Sequence, residues 1–157
     1  MAAPVSPSDG DYITRGFWKT EVTNRWSDLY ASWTYFTPTW TASTTQPSLG
    51  NGTFVGAYLQ VGQAVFFRMR LQFGSSTTPG TGSWSFSLPT GLAPAFIQVA
   101  QGFVASADGV TRWPMSGYLT TANGVERMGV SNNIVGGAVP LTWGAGDQIV
   151  LTGCYET

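Results

Sequence analysis

From residue 64 to residue 73 the chain alternates strictly: Val65, Phe67, Met69, Leu71 and Phe73 take every second position, and Phe66, Arg68, Arg70 and Gln72 fill the places between. Side chains of an extended strand point to opposite faces in turn, so this run is a half-buried antiparallel strand with one face on a core. A helix would scatter the same apolar residues around its circumference. Residues 83–88 repeat the pattern, with Trp84, Phe86 and Leu88 on one face and Ser83, Ser85 and Ser87 on the other. Gly62-Gln63 joins the first run to an apolar stretch at residues 54–61, and a leading glycine supplies the positive φ of a type II′ hairpin, so these two strands are expected to pair. Further strands are expected at residues 35–40, 97–105, 115–121, 125–130 and 148–155, with Ala122-Asn123-Gly124 as a second glycine-assisted turn. Residues 74–82, rich in Gly, Ser and Thr, read as an exposed loop. The fold expected from this punctuation is all-β, an antiparallel β-sandwich of jelly-roll type.

Charge divides the chain. Asp9, Asp11, Arg15, Lys19, Glu21, Arg25 and Asp28 lie in the first 28 residues, and only eight charged residues follow. In that first region Trp18, Val22, Trp26, Leu29 and Trp33 recur at helical intervals, which predicts an amphipathic helix at about residues 14–30. The Thr14 hydroxyl is placed to accept from a first-turn N–H, while Gly16 weakens the helix by about 1 kcal/mol relative to Ala. Pro4, Pro7 and Gly10 favour an extended arm before it. The expected organisation is an arm and anchoring helix at 1–36 and a β-sandwich domain at 37–157. An aromatic stripe of this kind has to dock somewhere, and its terminal position favours sister subunits or a host assembly. Trp18, Val22, Trp26, Leu29 and Trp33 are therefore the candidate assembly interface.

The same composition narrows the chemistry. At 157 residues the chain can bury a core without staples, and 10% charged residues, where about 25% is usual, leave a largely neutral surface. With net charge −1 and no run of like charge, nothing builds a footprint for nucleic acid or an anionic membrane. No apolar stretch approaches the ~20 residues of a membrane span, and the N-terminus lacks the regions of a signal peptide, so cytoplasmic synthesis without membrane insertion is expected. The single cysteine, Cys154, shares a strand face with Val150 and Thr152 and reads as a small buried hydrophobe.

There is no histidine, which removes the usual general base and the commonest metal ligand. After Asp28 the carboxylates are Asp108, Glu126, Asp147 and Glu156, with no spacing that requires the facing pair of a glycosidase. No catalytic residue, metal site or cofactor is assigned. Of the tryptophans, Trp84 reads as core. Trp113 and Trp143, near expected turns, together with Tyr118, are the candidates for ligand contact, because exposed aromatic faces stack on sugars; core packing and a subunit interface stay open for the two tryptophans.

One part of the chain carries a resemblance. Thr37-Pro38-Thr39-Trp40-Thr41, Pro47-Ser48-Leu49-Gly50-Asn51-Gly52-Thr53, Tyr58-Leu59-Gln60-Val61-Gly62, Phe73-Gly74-Ser75 and Gly82-Ser83-Trp84-Ser85-Phe86-Ser87-Leu88-Pro89 together resemble a β-domain of minor tail and other virion proteins of phages that infect actinobacteria. The likeness covers residues 37–89; from Gly91 it is one of general texture. Ile13-Thr14 and Trp18 through Val22 to Trp26 are similar to the short helix that often precedes that domain. The resemblance implies a multimeric virion component that builds or contacts the host and carries no catalytic residues. A homotrimer at the tail tip, bound to other virion proteins and meeting a host cell-surface glycan, is the expectation. A capsid-bound head fibre or decoration protein is the first alternative, and a carbohydrate-binding module the second.

Overall fold

The computed structural model describes residues 14–23, 26, 30–122, 124–130 and 133–157. Its strands are β1 (Thr34–Phe36), β2 (Trp40–Ala42), β3 (Thr53–Val61), β4 (Ala64–Gln72), β5 (Trp84–Ser87), β6 (Gln98–Ala105), β7 (Arg112–Thr120), β8 (Gly124–Val130), β9 (Asn133–Ile134) and β10 (Gln148–Glu156). All pairings between them are antiparallel, and they form one sheet in the order β1-β3-β4-β10-β6-β7-β8-β5-β2, with β9 on β8. The sheet curls into a half-barrel. The all-β expectation holds.

The β3–β4 hairpin forms as the alternation predicts, with Val61 opposite Ala64 and Gly62 at φ 63° in the first turn position. The β7–β8 hairpin also forms, from Thr120 opposite Gly124, although Asn123 of the expected turn lies outside the described residues. The single strand expected at residues 35–40 is two short strands instead. Pro38 has no N–H for a ladder, so pairing stops there and the chain crosses to the other end of the sheet. Residues 74–82 are not a free loop: Thr78 bridges Ser48, Thr81 bridges Thr45, and the Asn51 side chain holds Ser75 and Ser76 at 2.9 to 3.1 Å. The short β9 carries no periodic signal in the sequence.

The inner face of the curl is the core. Val65, Phe67, Met69 and Leu71 of β4 meet Ile149, Leu151 and Tyr155 of β10, Ala100 and Val104 of β6, and Leu119, Val125 and Met128 from β7 and β8. Across the interior the rings of Phe54 on β3 and Phe86 on β5 touch edge to face, centroids 4.8 Å apart. Four further rings meet at one end: Trp84 lies 4.8 Å from Trp40, 4.9 Å from Trp143 and 6.0 Å from Phe73, and Phe73 stacks on Trp143 at 4.7 Å. The indoles of Trp84 and Trp143 satisfy their N–H groups on the carbonyls of Pro79 and Gly136. Tyr155, by contrast, buries a hydroxyl that has no hydrogen-bond partner among the described residues, and burial, then the neighbouring Tyr58, pushes that phenol far above its ordinary range.

Two mutational outcomes follow from this packing. Trp84→Ala empties the middle of the ring cluster and is expected to lower unfolding free energy in urea by about 3–5 kcal/mol; a loss under 1 kcal/mol would contradict the central placement of this indole. Tyr155→Phe removes an unpaired buried polar group and keeps the ring, so stability should stay level or rise by up to about 1 kcal/mol. A clear loss would reveal a hydrogen bond at that hydroxyl.

Candidate functional site

The N-terminal segment begins as expected and then departs. The Thr14 hydroxyl accepts the Phe17 N–H at 3.2 Å, capping a three-residue α-helical turn at Arg15–Phe17. From Trp18–Thr23 the backbone is a π-helix, not the continuation of an α-helix. Trp26 is helical again and its carbonyl accepts the Tyr30 N–H at 3.3 Å, so the described part of residues 14–30 is helical but not one continuous α-helix, and Leu29, with 24–25 and 27–28, lies outside the described residues. Gly16 in the first turn and the β-branched Thr20, Val22 and Thr23 weaken α geometry there, and closing i→i+5 bonds takes the stripe out of its 3.6-residue phase.

Among the stripe's described members, Trp18 and Trp26 stay open and Trp33 meets the sheet. Trp18 and Trp26 keep 52% and 56% of their surface exposed, and Tyr30 is also exposed, its ring stacked on Trp26 at 6.3 Å. Val22 is half-buried. Trp33 is the member that reaches the β-domain: the Arg68 guanidinium lies 4.6 Å from its ring centre, a cation–π contact. Immediately after it, β1 pairs Tyr35 with Ala57, and the Phe36 ring lies over Gly56, where an added Cβ would come within 2.5 Å of it. That glycine lets the start of the domain seat flat on β3.

On the outer face of the sheet, Tyr35, Val55, Ala57, Arg68, Arg70 and Val150 line a shallow apolar groove of about 340 Å³. The residues are brought together by register, since Ala57 faces Arg68, Val55 faces Arg70, and Arg70 faces Val150. Arg70 is held by the side-chain oxygens of Gln72 at 2.9 Å and Gln148 at 3.0 Å. Sequence reasoning passed over this surface, although β3 carries its sign: Phe54, Val55, Ala57, Tyr58, Leu59 and Val61 make both faces of one strand apolar, as in strands covered on both sides.

The three aromatic candidates for ligand contact do not come together. Trp143 is only 9% exposed and belongs to the ring cluster, so its faces are covered. Trp113 is half-buried against the core. Tyr118, 49% exposed, stands on the outer face between Val99 and Glu126, where Ile97, Thr120 and Glu126 complete a second groove of about 470 Å³. Trp113 and Tyr118 are five positions apart on β7, and an odd separation puts them on opposite faces. The same parity corrects Cys154: with Val150 and Thr152 it lies outward, exposed and opposite Phe66, while Ile149, Leu151 and Tyr155 face the core.

Two of the β-domain carboxylates shape loops. Buried Asp147 accepts the N–H groups of Ala107 at 2.8 Å and Gly144 at 2.7 Å, tying the β6–β7 loop to the turn before β10. Exposed Asp108 accepts from the Ser106 hydroxyl and from the N–H groups of Val110 and Thr111. Among the described residues no group of three His, Cys, Asp or Glu side chains could hold a metal ion, and no helix is long and apolar enough to cross a membrane.

The bonds from Ser106, Val110 and Thr111 hold the Asp108 carboxyl below its ordinary 3.8. Because they favour the ionised form, what they contribute to loop stability is present above the unfolded-state value and is lost as pH falls through the lowered folded one. The Val110 and Thr111 amide shifts in an NMR titration should therefore turn over below pH 3.8; a midpoint at or above that value contradicts the loop geometry. Compared with known proteins, the chain matches no protein family, no curated protein and no solved structure.

Proposed function

We propose that this chain is a non-enzymatic structural protein of a bacteriophage virion, a minor tail protein that acts at the tail tip or fibre in assembly and host-surface contact. The observation that carries the reading is the row of open aromatic side chains on the N-terminal segment, Trp18, Trp26, Tyr30 and Tyr35, leading into a domain whose core is complete without them. Water-exposed aromatics at this density act as anchors in protein interfaces. A segment that anchors and a β-domain that is displayed make a division of labour suited to a component built into a larger particle. The resemblance over residues 37–89 supplies the kind of particle.

In this reading the β-domain is a two-layered, jelly-roll-like unit, supported by the contact of Phe54 with Phe86 across the curl. It associates as a homotrimer, and eight charged residues after position 28 leave the neutral surface that subunit packing uses. A head fibre or decoration protein would need the same anchor and differs only in where it sits. One observation favours a carbohydrate-binding role within either location: Tyr118 is an open aromatic ring beside the Glu126 carboxylate and the Thr120 hydroxyl, a stacking face with polar groups at its rim.

Immunogold electron microscopy of intact particles with an antibody against residues 37–157 tests the location, with label expected at the tail tip. Label on the capsid would replace the tail assignment by the head-fibre one, and no label would remove the virion reading. Trp26→Ala should weaken incorporation into particles by about 30-fold in apparent affinity, the loss of about 2 kcal/mol typical of a buried aromatic anchor. Wild-type incorporation would sink the anchoring role of that indole.

A further inference from the structure

We propose that the outer groove between β1, β3, β4 and β10 receives the aromatic N-terminal segment of a second copy of this chain, so that copies are joined by exchanged arms. The inference rests on the assembly reading above and names the surface through which assembly happens.

Three observations lead to this occupant. One guanidinium of the groove already meets an indole: Trp33 of the same chain lies on Arg68, so an arginine of this surface partners a tryptophan of this segment. Its charge also fits. Neither Arg68 nor Arg70 meets a carboxylate among the described residues, the first lying on a ring and the second on two glutamine oxygens. The first 28 residues carry four carboxylates, Asp9, Asp11, Glu21 and Asp28, against the cations Arg15, Lys19 and Arg25, whereas the four carboxylates of the β-domain, of which Asp147 is buried, are spread over residues 108–156. Indole into groove and carboxylate onto guanidinium can thus be met by one strip of chain.

The third observation separates a neighbour from the chain itself. Tyr35 lines the groove and Trp33 lies on Arg68, and upstream of them Trp26 stacks on Tyr30 and stays open. Seven residues separate Trp26 from Trp33, a span of at most about 25 Å toward an adjacent subunit, and the π-helix at Trp18–Thr23 shortens the further path to Trp18. An arm entering the groove of the next copy is a heterologous contact, in which different surfaces meet, and such contacts close into a ring where the rotation between copies closes and otherwise run on as a filament. That geometry suits a trimer without a two-fold interface.

The test uses the full-length chain. Light scattering at tens of micromolar is expected to give an oligomer for the wild type, a monomer with an unchanged melting temperature for Val55→Glu, and an oligomer for Val99→Glu, an equally open outer-face position away from the groove. In a Cys154→Ser background, chains with Trp26→Cys mixed with chains carrying Val55→Cys should form a mixed disulfide dimer on mild oxidation, which does not depend on how well Val55→Glu folds. An oligomeric Val55→Glu together with a dissociated Trp26→Ala, or no mixed dimer from an oligomeric wild type, overturns arm exchange through this groove and leaves the anchoring reading standing. A wild type that is monomeric at these concentrations removes arm exchange and self-association together.

Discussion

The contact among Trp40, Phe73, Trp84 and Trp143 is the constraint on which the rest of the structure depends. These rings come from β2 at one end of the sheet, from its neighbour β5, from the residue after β4 and from the loop before β10. In a flat sheet they could not meet, because β10, β6, β7 and β8 stand between β4 and β5 in the strand order. Only a strongly curled sheet brings them within 4.7 to 6.0 Å of one another. The same curl is demanded by connectivity: β1 and β2 are the two ends of the order, yet Phe36 and Trp40 are four residues apart and can be separated by at most about 14 Å.

Once the interior is defined by that curl, strand parity assigns every other side chain. Trp84 and Phe86 point in because Trp84 belongs to the cluster, Val125 of β8 follows Phe86 through their pairing, and Leu119 of β7 follows Val125. The outer face is what remains: Val55, Phe66, Val99 and Tyr118 stand exposed there, with Arg68 and Arg70 within the first of two apolar areas. Neither area was chosen independently. Both follow from which side of each strand faces the concave interior.

Much of this was legible in the residues themselves. The alternation from Val65 to Phe73, the glycine opening the β3–β4 turn and the Thr14 cap each rest on a local rule that tertiary contacts do not contest. Where local and non-local requirements compete, sequence reasoning stopped short. Residues 35–40 read as one strand, but Pro38 and the closure of the curl divide that stretch between the two ends of the sheet. Trp143 near a turn looked available to a ligand, but its partners Phe73 and Trp84 are far away in the chain and cannot be found by periodicity. For Trp113 and Tyr118 the parity was readable from the five-residue spacing, whereas the groove beside Tyr118 needed β6 and β8 to be positioned first. The outer groove at Arg68 depended on three register assignments and had only the two-sided apolar character of β3 as its sign.

The placement of charge bears on how such a surface could be specific. An apolar face without charges would adhere to any other apolar face, since burial of area is not directional. Here the two guanidiniums are held in fixed positions on one strand, Arg70 by Gln72 and Gln148 and Arg68 by the Trp33 ring. A partner that covers the groove without meeting them would desolvate two cations with no compensation, which is unfavourable by more than the apolar contact of a small patch returns. Arginines at these positions therefore act against indiscriminate association and in favour of a partner that offers aromatic rings and carboxylates in one short segment. Within this chain that combination is concentrated in the first 28 residues, so the uneven distribution of charge and the aromatic stripe form one feature seen from its two sides.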